Sequence, residues 1–395
     1  MNWFNFIRLI WMIYGPGKVN LNLIQKMGLL AVKIGQVHAL RLDFLPLEKC
    51  QKLSELYRAT IPIESEQVLS KIDHSHFKNI KEKPLASASI GQVHLATLKS
   101  GERVVIKVVK NKFKKQFKKD VKSVKKFVNL AIKIYPKLRS VFDPIGILEH
   151  IEQYTLQELN LKNEIKGHNR LQKIYQENKD KYDLSKLAFP KIYEEISSED
   201  ILVMEHVDGK TFDEILETEL DYQELLDLFH IHGFFIFNIG TFHGDLHPGN
   251  LIHYNGKIYF VDTGAIGEVS EKISKGLFKF FDYLSQYDYK NAAYWLNQMA
   301  EKQIKGKDFD NFQLEFIKLY QDFDNTTVSE ISLTKKMMQT IKLGVLKGMD
   351  FEKGMFSIIK SLMFLDGMVI RNNPHAILLK DMRQFIDELN NFKTN

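Results

Sequence analysis

One cysteine, Cys50, in 395 residues leaves no partner for an internal disulfide, which fits a reducing compartment. No apolar run reaches the roughly 18 residues that a membrane-spanning helix needs. The nearest candidate, FNFIRLIWMIY, is short and interrupted by Arg8, and no small-residue cleavage site follows it. Neither a transmembrane helix nor a signal peptide is therefore expected, and a cytoplasmic location is. An amphipathic helix packed on the protein accounts for this segment, with a membrane-surface anchor as the alternative. Internal repeats and low-complexity tracts are absent. So are the Walker G-x-x-x-x-G-K-[ST] and the dinucleotide G-x-G-x-x-G.

What is present is an ordinary folding composition, 44% hydrophobic and 26% charged, in a chain long enough for two domains. Residues 1–80 read as a helical extension, with apolar residues three and four apart in LNLIQKMGLLAVKIGQVHALRL and EKCQKLSELYRA. Residues 81–206 read as a small antiparallel sheet. HLATL and ERVVIKVV are joined by KSG, and ILVMEHVDG runs from a strand into a turn. A basic helix is inserted here, with Phe113, Phe117, Val121, Val124 and Val128 on one face, and a second helix carries YTLQELNLKNEIKGHNRLQKIYQEN. Residues 207–395 read as a helical lobe, interrupted by the hairpin NLIHY–Asn255-Gly256–KIYFVD. FSIIKSLMFLDGMVI, despite Lys360 and Asp366, reads as a buried helix.

FVDTGAIG, residues 260–267, fits two chemistries. Asp-Thr-Gly is the turn of an aspartic protease, but that chemistry needs two carboxylates sharing a proton, and no second copy occurs in this helical chain. Upstream lies FHGDLHPGNLI. Asp245 precedes Asn250 by five residues, a hairpin follows, and Asp262 then starts an Asp-x-Gly turn. That is the spacing of a phosphotransferase loop, in which one Asp reaches the nucleophile while Asn and a second Asp converge on Mg²⁺. A zinc site from His243, His247 and His253 is the weaker reading, because Pro248-Gly249 breaks the helical spacing. His243 is expected to hydrogen-bond the loop backbone.

Lys107 ends the strand ERVVIK where a kinase keeps its phosphate-binding lysine. The preceding loop, PLASASIGQV, has Ala86, Ser87, Ala88 and Ser89 in place of the usual glycines, and only Gly91. Methyl groups there restrict backbone approach to phosphates.

With these parts in order, the chain resembles the UbiB-type (aarF-domain) atypical kinases of prenylquinone metabolism. The likeness rests on KIGQ (33–36), ALRLDFLP, PLASASIGQV, VVIK, QELNLKNE, HGDLHPGN, VDTGAIG and LMFLDGMVIRNNP. It implies an α+β, two-lobed protein-kinase-like fold that uses ATP and Mg²⁺. Lys107 would contact nucleotide phosphates and pair with Glu164. Asp245 would orient or deprotonate the attacking group, and Asn250 and Asp262 would bind the metal. Lys33 and Gln36 would reach the active site near Glu158, with the alanine-rich loop and Glu205 at the nucleotide. The family's E-x-D is here Glu158-Leu159-Asn160, so a third carboxylate is missing. Without the resemblance, Lys33 and Gln36, three apart, read as a solvated helix face. The resemblance further implies that the extension covers the peptide groove of protein kinases. ATP hydrolysis or phosphorylation of an isoprenoid or quinone-precursor lipid is thus expected over protein phosphorylation in trans. A small-molecule kinase of the aminoglycoside or choline type and a nucleotide-binding pseudokinase are the alternatives; KIGQ and the alanine-rich loop count against the first.

Between Lys112 and Lys126 stand eight lysines and one acid, Asp120. A solvated face and peripheral contact with anionic membrane are the competing readings. Nucleic acid is not expected, since no binding module is recognisable and the net charge is only +6.

Overall fold

The run HLATLKSGERVVIKVV folds as the hairpin its alternation predicts, with strands Gly91–Leu98 and Arg103–Val109 joined through Gly101 at φ 105°. In the computed structural model, residues 1–39, 45–58, 69–87, 91–109, 111–135, 144–352 and 354–394 are described. They form two compact units, Met1–Lys166 with Lys191–His206 and Gly167–Pro190 with Val207–Asn395.

In the first unit the hairpin lies in a five-stranded antiparallel sheet, ordered Phe77–Ile80, Gly91–Leu98, Arg103–Val109, Ile201–Glu205, with Ala86–Ser87 also paired to Gly91–Leu98. Strand alternation sorts its two faces. Val104, Ile106 and Val108 pack with Ile72, Phe77 and Val203, whereas Val105 and Val109 face the core built by helices Trp3–Tyr14, Leu29–Ala39, Asn111–Ile134, Pro144–Glu158 and the start of Leu161–Asn178. The basic helix buries Phe117, Val121, Val124 and Val128, as its stripe requires; the Phe113 side chain lies outside the described residues.

Two sequence expectations need correction here. Phe77–Ile80 is a strand and not helix, because Phe77 pairs with Leu98 and buries its ring in the sheet core. The segment around QELNLKNE is two helices, Pro144–Glu158 and Leu161–Asn178. Asn160 separates them: its carboxamide oxygen accepts from Lys162 N–H at 3.1 Å, as an N-cap does.

The N-terminal helix buries only Leu9 and Ile13. Trp3, Phe4 and Trp11 are 58%, 60% and 67% exposed, and Ile7 and Tyr14 are also exposed. Trp3 stacks on Phe127 of the basic helix with ring centres 6.3 Å apart.

The second unit is mostly helical around an aromatic core that includes Phe234, Phe235, Phe278, Phe280, Phe281, Phe312, Phe316 and Tyr320. Each ring withdrawn from water contributes about 1.5–3 kcal/mol. Leu251–Tyr254 and Lys257–Phe260 form the expected hairpin, with Asn255 and Gly256 at φ 50° and 67°, the two left-handed positions of a type I′ turn. Beyond that hairpin this unit holds the short strands Leu187–Ala188, Lys210–Thr211, Thr241–His243 and Ile266–Glu268, which are too brief to leave an alternation signal. The helix Gly354–Asn372 buries Met355, Ile358, Ile359, Leu362, Leu365, Met368 and Val369, as expected. No helix among the described residues is long and apolar enough to cross a membrane.

Candidate active site

Lys107 sits between Val105 and Val109 on the strand face that looks into the helical core. A cation there needs a partner, and Glu164 supplies it: Nζ lies 2.7 Å from Oε2, with the two side chains 6% and 5% exposed. Removing either partner of so dry a pair would strand the other charge.

KIGQ lies on the helix Leu29–Ala39, and its solvated-face reading fails, since Lys33 and Gln36 are both buried. Lys33 forms an ion pair with Glu158, and the Tyr154 ring centre is 5.9 Å from its ammonium. Gln36 donates to the Leu56 carbonyl at 2.8 Å. Gly35 explains itself by proximity, as a Cβ there would sit 2.4 Å from the Leu56 side chain.

The alanine-rich loop is only partly described. Ala86 and Ser87 pair with Val93 and Gln92; Ala88 and Ser89 lie outside the described residues, as do residues 40–44 of ALRLDFLP. Gly91 has a structural reason to be glycine, because a Cβ would meet the Val108 carbonyl at 2.4 Å. Glu205 is exposed, and its carboxylate accepts from Lys191 N–H at 2.9 Å, which ties two chain segments together.

In the second unit the segment from Thr241 to Asp262 is cross-tied. His243 donates from Nε2 to the Val261 carbonyl at 2.9 Å and accepts at Nδ1 from Asp245 N–H at 3.1 Å. Burial holds this imidazole below its ordinary pKa despite the favourable bond to Val261, so it stays neutral and serves the backbone, as the sequence suggested. Asn250 donates through Nδ2 to the Asp245 carbonyl at 2.9 Å, and its own carbonyl accepts from Val261 N–H at 3.0 Å. His247 accepts from Gly249 N–H, and His253 pairs with Glu224 at 2.6 Å, so the three histidines serve different partners rather than one metal. Asp262 takes the left-handed conformation, φ 53°, which aspartate adopts more readily than most non-glycine residues. Non-glycine residues in this conformation concentrate at functional turns. Gly167 lies close to that turn, where a Cβ would be 2.1 Å from the Thr263 carbonyl oxygen.

Asp245 has one partner that sequence reasoning missed. The Lys360 ammonium, on the helix Gly354–Asn372, stands 2.9 Å from Asp245 Oδ1. That oxygen is buried and accepts no well-directed hydrogen bond among the described residues, so the contact is a charge pair. Burial pushes the Asp245 carboxyl up, but the Lys360 ammonium outweighs it and holds the group below the usual carboxylate range. Asp245 is thus an anion whose inner oxygen faces the Lys360 ammonium. The signal for Lys360 was in the sequence, as a lone lysine inside FSIIKSLMFLDGMVI, but only the fold reveals what it faces.

The donor set suits the chemistry expected of it. Asn250 and Asp262 offer hard oxygen ligands, with no thiolate among them, which is the preference of Mg²⁺. In the first unit, Lys107 is a cation held in place by Glu164.

Residues 56–296 match the ABC1 atypical kinase-like domain. The chain is 26% identical over 379 residues to an uncharacterized protein in the hydrogenase 1 5′ region of Clostridium pasteurianum, covering 93% of this chain and 69% of that one. It is 25% identical over 382 residues to a probable protein kinase UbiB of Sodalis glossinidius, covering 92% and 69%. The protein of the same name from Histophilus somni is 26% identical over 386 residues, covering 92% and 69%. Among solved structures, Rv3197 of Mycobacterium tuberculosis in complex with erythromycin has the same kinase-like fold. The TM-score is 0.52 at 18% identity, over 90% of this chain and 95% of that one.

Proposed function

Because the chain belongs to the ABC1 atypical kinase-like family, we propose that it binds Mg²⁺-ATP and transfers or hydrolyses the terminal phosphoryl group. The observation that carries this reading is the cross-tied loop and turn, in which Asn250 bonds to both the Asp245 and Val261 peptides and so fixes base and metal ligands in one piece. Asn250 and Asp262 would hold Mg²⁺, which neutralises phosphate charge when bound. Lys107, kept in place by Glu164, would contact the phosphates. Asp245 would orient the attacking hydroxyl or water and receive its proton. Calorimetry with Mg²⁺-ATP, and phosphate release by wild type and Asp245→Asn, test this. Nucleotide uptake with turnover lost only in the variant supports it, and absence of uptake by wild type sinks it.

The UbiB names among the relatives support a role in prenylquinone or other isoprenoid-lipid metabolism. Those names say probable protein kinase; a lipid acceptor in place of a protein is our own extension of that reading. Peripheral contact with an anionic membrane belongs to the same proposal. Its support is the exposed row of Trp3, Ile7, Trp11 and Tyr14 on a helix packed against the basic one, where Lys115, Lys118, Lys119, Lys122 and Lys126 are exposed. Aromatic side chains with nearby lysines suit a headgroup interface.

A further inference from the structure

The helix Gly354–Asn372 addresses the loop through three side chains within little more than one turn. Lys360 meets Asp245, the Ser361 hydroxyl donates to the His243 carbonyl at 3.5 Å, and the Phe364 ring stands edge-on to His247 with centres 5.4 Å apart. Phe364 also lies under the Lys360 ammonium, 5.9 Å from ring centre to Nζ. Lysine is almost never kept inside a protein for packing alone, yet Lys360 is only 8% exposed, in a helix whose other buried residues are mostly apolar. Its neighbours Ile358, Ile359 and Leu362 would be better served by leucine. What distinguishes the position is the carboxylate it faces.

We propose that Lys360 is a positioning residue for phosphoryl transfer, holding the Asp245 carboxylate in the orientation from which it takes the proton of the attacking group. This rests on the phosphotransfer reading above. In that step the nucleophile's oxygen forms a bond to the terminal phosphorus while its proton passes to Asp245. The bond from phosphorus to the bridging oxygen breaks, and ADP leaves with that electron pair. Lys360 acts through Asp245. Its ammonium also disfavours rotation of the carboxylate away from this orientation, since that would separate a buried cation from the half-buried anion it faces.

The test is a double-mutant cycle on full-length protein with Lys360→Met, Lys360→Arg, Asp245→Asn and the Lys360→Met/Asp245→Asn pair. Phosphate release, Mg²⁺-ATP affinity by calorimetry and thermal unfolding are measured for each. Lys360→Met is expected to lose roughly 10- to 100-fold in kcat with nucleotide affinity nearly unchanged. Lys360→Arg should recover most of that loss, and Lys360→Met should cost nothing further in the Asp245→Asn background. Equal losses in both backgrounds, or wild-type kcat in folded Lys360→Met, would overturn the role of Lys360 while leaving the phosphotransfer reading standing. A wild type that takes up no nucleotide would overturn that reading, and the assignment of Lys360 with it.

Discussion

Replacing Gly167 by alanine sets two known effects against each other. Gly167 is inside the helix Leu161–Asn178, where helix propensity alone favours alanine by about 0.8–1.0 kcal/mol. The new methyl would arrive 2.1 Å from the Thr263 carbonyl oxygen, a backbone atom that no rotamer change can move aside. Ordinary contact begins near 3.4 Å, so helix or turn must yield by more than an ångström. Overpacking of this kind costs about 1–3 kcal/mol. The steric term therefore wins, and the expected net change is a loss of about 1 kcal/mol or more, seen as a fall of roughly 2–4 °C in Tm. Gly367 supplies the control. It too is inside a helix, Gly354–Asn372, but nothing lies within 4 Å of the Cβ it would gain, so Gly367→Ala should raise stability by up to about 1 kcal/mol. Thermal and urea unfolding of both variants measure the signs. Because the displaced turn carries Asp262, Gly167→Ala should also weaken Mg²⁺-ATP uptake more than its stability loss explains. Stabilisation by Gly167→Ala equal to that of Gly367→Ala would refute the argument.

Lys107→Met should cost about 3–5 kcal/mol by leaving Glu164 charged and buried, and adding Glu164→Gln should recover a large part of it; strictly additive losses in urea unfolding would deny the pair. His232 is fully enclosed, with neither ring nitrogen hydrogen-bonded among the described residues, and burial, aided by His243, lowers its pKa from 6.5 to about 3. The unfolded chain then binds the extra proton first, so stability is lost as pH falls from about 6.5 toward 3, by up to about 1.4 kcal/mol per pH unit. Urea midpoints of wild type and His232→Leu between pH 7 and 4.5 check this; an equally steep decline in both rules His232 out. Trp3→Ser/Trp11→Ser should abolish flotation with anionic vesicles while neutral vesicles bind neither protein, and high salt should weaken the wild type's binding; wild-type flotation by the variant would remove the membrane face.

Legibility in the sequence followed the length scale of the physical signal. The hairpin at Asn255-Gly256 and the strand carrying Lys107 were readable because two-residue turns and β-branched alternation are local, although that strand runs on to Val109. The α+β, kinase-like order of helices and sheet followed from those same patterns. The strand Phe77–Ile80 was not readable, since four residues with one buried ring gain their identity only from pairing with Leu98. Asn160 read as a missing charge, whereas the structure gives it a helix to begin, a task asparagine and aspartate perform equally well. Lys33 and Gln36 showed their spacing but not their burial, which depends on Leu56 arriving from another segment. Lys360 was hidden for the same reason: its partner lies more than a hundred residues away in the chain.

Both backbone polar groups of Val261 are engaged, its N–H by the Asn250 carbonyl and its C=O by His243, and they belong to the two peptide planes on either side of its Cα. Asp262 comes next in the chain, and the peptide plane that leads into it is anchored to His243, two residues from Asp245, while the plane before it is anchored to Asn250. On the proposed reading, a displacement of Asp262 would therefore be felt at Asp245 through these two anchors. The two side chains would then shift together rather than separately, with Val261 as the hinge pin between them.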